Sequence, residues 1–133
     1  MTWNEVVDCL TMGTRVLSVG RESVVLSYAG DEDQRIRIEL VRVFDEPWVL
    51  FLSPIVEETR AHLRDALALN MTLGIGALAI EQKYLVIRAV CSLVSLDNAG
   101  LQRYVNFAVD EALRLRRLHD RTSVQGPGDV FRD

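Results

Sequence analysis

Cysteine, histidine, proline and lysine are all scarce in this 133-residue chain, and each scarcity removes a class of function. The two cysteines, Cys9 and Cys91, fall in different expected elements and are too few for a disulfide framework, so they read as buried reduced thiols. The two histidines, His62 and His119, have no Cys, Asp or Glu at a repeated ligand spacing, and no metal is expected. Of the fifteen basic residues only Lys83 is a lysine, and nineteen acids leave a net charge of −4 with a pI of about 5.2. Such an acidic chain is badly matched to nucleic acid, which needs clustered cations to displace counterions from phosphate. Long hydrophobic runs are missing too. The longest wholly apolar stretch, residues 74–80, falls far short of the ~20 residues that cross a bilayer. Residues 1–10 carry Glu5 and Asp8 and no basic start, so no signal peptide is expected. The reading is a cytoplasmic protein that engages neither membrane nor nucleic acid.

What the chain has is apolar patterning. Hydrophobic residues make up 49% and charged residues 26%, which excludes disorder and leaves an apolar excess that a partner could cover. The length suits one domain, expected over residues 1–119, with a mobile tail over 120–133 where periodicity stops. Trp3, Val6, Val7 and Leu10 are spaced as on a helix, with Gly13 as its stop. Residues 14–28 are rich in β-branched side chains and read as one strand bent at 20–22, followed by an acidic hairpin tip at 30–33. Residues 34–45 alternate Ile36, Ile38 and Leu40 with Arg35, Arg37 and Glu39, a strand with one wet face. The alternation slips at Leu40 and Val41, where a bulge is expected.

A more apolar strand covers residues 48–53, closed by Pro54, and a helix is expected over 57–70 with Glu57 and Glu58 at its positive end. Strands follow at 77–81 and 84–93, and Asp97 can cap a helix over 98–118 with the stripe Leu101, Val105, Ala108, Ala112 and Leu115. The expected fold is α+β: a five-stranded antiparallel sheet with three helices in the order α-β-β-β-α-β-β-α. Its first and last helices should pack on one face.

Motifs that suggest chemistry fail on context. Residues 74–79, GIGALA, match the letters of a dinucleotide fingerprint, with Asp97 where a ribose-binding acid would stand. That motif needs a strand before it and a helix after it, so that phosphate meets a helix N-terminus. Here the order is reversed, and no cofactor is expected. His62 with Glu58 and Asp65 makes at most a solvated helix face. Asp31, Glu32 and Asp33 lack the glycine and distal glutamate of a calcium loop. No G-x-S-x-G occurs and no Ser or Cys sits in an activating setting, so no catalytic residue is assigned and the chain is read as not an enzyme.

From Trp48 to about Leu118 the chain carries a recurrent apolar pattern: a strand ending in Ser53-Pro54, a helix closing on Leu69-Asn70, and Gly76-Ala77-Leu78-Ala79-Ile80. A polar turn, Tyr84-Leu85-Val86-Ile87-Arg88-Ala89 and a Leu96-Asp97 helix start follow. This half of the chain resembles the class I type III secretion chaperones and the related YbjN-domain family of bacteria. It departs from them at Leu73-Gly74-Ile75. The resemblance implies a small acidic homodimer that binds protein without chemistry, as secretion chaperones hold an unfolded stretch of their effector against apolar patches and strand edges. The functional reading is a noncatalytic protein-binding module, chaperone-like or regulatory; the alternative is a small-ligand-binding or immunity-type domain.

The candidate surface for a second copy or a protein partner is drawn from one strand and one helix. In residues 84–93 the face of Leu85, Ile87, Ala89, Cys91 and Leu93 should meet helices, leaving Tyr84, Val86, Arg88 and Val90 on the other. Two apolar faces on one antiparallel strand require cover on both sides. The middle helix, through Leu63, Ala66 and Leu67, either supplies that cover within one chain or joins the strand face in a twofold interface.

Overall fold

The computed structural model describes residues 1–12, 15–28 and 34–125. Its elements are α1 (Trp3–Thr11), β1 (Arg15–Val19), β2 (Ser23–Tyr28), β3 (Gln34–Val43) and β4 (Glu46–Glu57). A single 3₁₀ turn (Glu58–Arg60), α2 (Leu63–Asn70), β5 (Ala77–Glu81), β6 (Tyr84–Ser92) and α3 (Asn98–Gln125) complete it. The strands form one six-stranded sheet in the order β1-β2-β3-β4-β6-β5, every neighbouring pair antiparallel. The expected α+β class and helix count stand, and the strand count of five is corrected to six. The expected bent strand is two strands, because the Gly20 N–H donates to the Ser23 carbonyl at 2.7 Å and closes a hairpin instead of a bend.

Local chemistry sets most boundaries. Thr2 and Glu5 form a reciprocal capping box that starts α1, the Thr2 hydroxyl accepting from Glu5 N–H and the Glu5 carboxylate from Thr2 N–H. Those two hydrogen bonds hold the exposed Glu5 carboxyl below its usual range. Asp97 Oδ1 accepts from the Gly100 N–H at 2.7 Å and opens α3. The β3–β4 and β5–β6 hairpins turn on two residues each, Phe44-Asp45 and Gln82-Lys83, all at positive φ as mirror-image type I′ turns require.

Three boundaries differ from expectation. β4 runs through Pro54 to Glu57, since Pro54 stands at a bulge where Pro54 faces Val86 and Val56 faces Leu85, and a missing N–H is tolerated there. No bulge occurs at Leu40 and Val41, whose pairing with Val49 and Trp48 is continuous. The middle helix begins at Leu63 and not at Glu57, because the Glu58 N–H is held by the Lys83 carbonyl at 2.7 Å. α3 extends to Gln125, past the expected boundary at 119. Gly13, the acidic tip and residues 126–133 lie outside the described residues.

The core lies between one sheet face and the helices. Ile36, Ile38, Phe51 and Ile87 are fully buried beneath Leu101, Val105, Ala108 and Ala112 of α3, and Phe51 stacks on Tyr104 with ring centroids 5.3 Å apart. Val6 and Leu10 of α1 and Ala66 of α2 close the same core. The three helices therefore share one face, and the opposite face carries none.

Candidate functional site

Cross-strand register fixes what the uncovered face displays. Val25, Arg37, Leu52, Arg88 and Ala77 form one row across β2, β3, β4, β6 and β5. On either side of it, Leu50 pairs with Val90, and Pro54 and Ala79 flank Val86. An apolar band thus runs along β4 and β6. It is bordered on β3 by Arg37, which bonds Glu39 at 2.7 Å and Glu81 at 3.3 Å. Exposed pairs of this kind stabilise by about 1 kcal/mol at most, so they mark a rim and do not close the band.

The sequence-derived surface residues divide between two places. Tyr84, Val86, Arg88 and Val90 all lie on the open face, with Arg88 and Val90 exposed and Val86 only 4% exposed among its neighbours. Ala66, at 7%, is a core residue of α2 packed with Leu78, Leu85 and Leu115. Leu63 and Leu67 are exposed on α2, Leu67 at 69%. α2 sits on the helix side of the sheet against β5, so it does not cover the β6 face from within the chain. The helix and strand groups are therefore not one patch. Trp48, Leu50 and Leu52 were missed from the surface, because β4 is apolar on both faces and shows no alternation to assign sides.

The residues that suggested chemistry have structural roles. Gly76 lies in a helix-to-strand connection, and a Cβ there would come within 2.7 Å of the Phe107 ring and 2.9 Å of the Arg88 carbonyl oxygen. It is a glycine of close packing. Burial pushes the Cys91 thiol up to about 11, away from the reactive range. His119 Nδ1 lies 2.9 Å from the Leu115 carbonyl. His62 and His119 line one crevice of about 10 Å³, room for a single water. Among the described residues no three His, Cys, Asp or Glu side chains gather, and no helix is long and apolar enough to cross a membrane.

The two sheet edges differ. Beyond β5, the Asn70 side chain accepts from the Leu78 N–H and donates to the Leu78 carbonyl at 3.3 Å, occupying that edge. Beyond β1 no described element follows, and Leu17 and Val19 are exposed there. Two depressions, of about 530 and 280 Å³, flank Arg35, Pro54 and Tyr84 at the end of the sheet that holds the β4 bulge.

No family model matches the chain, and no curated protein matches it in sequence. Chains of seven solved structures match its fold. Among them is the crystal structure of the ExsC–ExsE complex, with a TM-score of 0.62 and 15% identity over 87% of this chain and 89% of that chain. At that identity the likeness is one of fold: an α+β architecture shared over nearly the whole length of both chains.

Proposed function

We propose that the chain is a noncatalytic protein-binding module, chaperone-like or regulatory, that acts as a homodimer in the cytoplasm. One observation carries the reading: all three helices occupy one face of the sheet, and the other presents the apolar band of β4 and β6 to solvent. Contiguous apolar surface beyond a few hundred Å² is rare on a monomer and marks an interaction site. The sequence resemblance to secretion chaperones and the fold likeness to a chain crystallised in a two-protein complex support the same reading. In this reading the open face meets its symmetry mate across a twofold axis, burying on the order of 1,600 Å². The β1 edge stays available for an extended segment of a protein partner, whose backbone would add a strand.

Light scattering at micromolar concentration tests the dimer. Twice the chain mass of 15.0 kDa, about 30 kDa, is expected under closed twofold symmetry. A species of 15.0 kDa alone overturns it. Val90→Arg should shift the dimer to monomer with the melting temperature of the monomeric unit little changed, since Val90 is exposed in the single chain. Val86→Arg should act in the same direction, but its burial adds a cost to the fold itself.

A further inference from the structure

The 280 Å³ depression at the bulged end of β4 gathers three arginines from three elements: Arg35 of β3, Arg60 of the 3₁₀ turn and Arg116 of α3. Tyr84 and Glu57 complete its polar lining, over an apolar floor from residues 54–56. Three guanidiniums against one carboxylate make this the reverse of the chain as a whole, whose net charge is −4.

The arginines rest on a built foundation. Gln34 and Ser53 are fully buried beneath them. Gln34 Nε2 donates to the Ser53 hydroxyl and to the Pro54 carbonyl, each at 2.7 Å, and the Ser53 hydroxyl donates to the Arg35 carbonyl at 2.6 Å. With its amide nitrogen so committed, Gln34 can only accept at Oε1, and there it takes an N–H from Arg116 Nη1. Burying an amide costs free energy unless every bond is made, and here the network fixes one guanidinium at the wall of a cavity. A guanidinium has five N–H donors in a rigid fork, so the single donor Arg116 spends on Gln34 leaves others for its neighbours and for a guest.

We propose that this depression is an oxyanion pocket, which takes a phosphate or carboxylate group carried on a short apolar stem. Arginine forks match both groups bidentately, and the Tyr84 hydroxyl adds a donor. The volume decides the size of the guest. Sites for drug-sized molecules run from about 300 to 1,000 Å³, so this one holds a single compact group and not a nucleotide. The group is either a free small anion or the acidic side chain of a protein, and neither source depends on the dimer proposed above.

Titration calorimetry on the full chain tests the pocket with two probes, inorganic phosphate and a six-residue peptide carrying one glutamate among apolar residues, at matched ionic strength. Saturable binding of phosphate assigns the pocket to a free anion. Saturable binding of the peptide with phosphate ineffective assigns it to an acidic side chain. In either case Arg35→Gln, at an exposed strand position, should weaken binding at least tenfold, as should Arg116→Gln, while Arg64→Gln on the exposed side of α2 should leave it unchanged. Arg35→Gln keeps the test open should Arg116→Gln unfold the chain. The proposal is overturned when neither probe saturates up to about 10 mM, where a residual affinity would be worth under 3 kcal/mol. It is equally overturned when Arg35→Gln binds as the parent does, or when Arg64→Gln weakens binding as much as Arg35→Gln.

Discussion

β1 and β5 are both five-residue strands at the margins of one sheet, yet only β5 has its outward backbone groups engaged. The Asn70 amide offers Leu78 one acceptor and one donor, the same pair a seventh strand would offer. The side chain is placed there by the end of α2, whose Ala66 is anchored in the core. β1 has no such cover. It carries a bulge between Val16 and Ser18 and leaves Leu17 and Val19 in solvent. Unpaired edges invite pairing with other chains, and bulges and covering elements are the usual defences. A chain that guards one edge with an amide and the other with only a bulge has a preferred place for strand addition.

The largest expected effect comes from undermining the guarded edge from below. Leu115, nearly fully buried, packs under Ala66, Leu78 and Leu85. Leu115→Asp should cost about 3 kcal/mol or more in urea unfolding, because it buries an unpaired charge. An unchanged denaturation midpoint would mean that α3 does not support α2 and β5.

A smaller change should erase the difference between the edges. Asn70→Ala leaves the N–H and carbonyl of Leu78 without their partner. The expected loss is about 1–3 kcal/mol, with a new tendency to associate at high concentration. Stability and association both equal to the parent would show that the amide does not guard the edge.

The smallest effect needs no substitution. Native-state hydrogen exchange should find the Leu78 amide protected and the outward amides of β1 exchanging close to the rate of open chain. Equal protection at the two edges would mean that something covers β1.

The sequence showed β6 and α3 almost completely, since each has a single periodicity: Leu85, Ile87 and Ala89 are buried as the alternation of two requires, and Leu101, Val105 and Ala108 as the helical period requires. It hid whatever depends on distant partners. Pro54 looks like a strand terminator until Val86 and Leu85 are seen to pair around the bulge. Glu57 and Glu58 look like a helix start until the Lys83 carbonyl takes the Glu58 N–H. Half of the open face was legible, because β6 alternates; the β4 half was not, because a strand covered on one side by helices and apolar on the other has no pattern to read. Asn70 appeared only as the end of a helix, and the meeting of Arg35, Arg60 and Arg116 joins positions from three separate elements. No local pattern encodes either.

The strand order also sets a timetable for synthesis. The hairpins linking β1 to β4 are complete once residue 57 has emerged, but the other edge of β4 has no partner until β6 is finished at residue 92. Its buried side, including Ile38 and Phe51, waits for α3 as far as Leu115. At about 5–20 residues per second, the 58 residues from 57 to 115 keep this meander incomplete on the ribosome for about 3–12 s. During that interval the most apolar strand of the molecule is bare on both faces and along one edge, so the nascent chain needs shielding more than the finished fold does. Ribosome-bound chains stalled at residue 96 should therefore associate with general holdases, and chains stalled well beyond Gln125 should release them; equal association at both lengths would show that α3 is not what closes the interval.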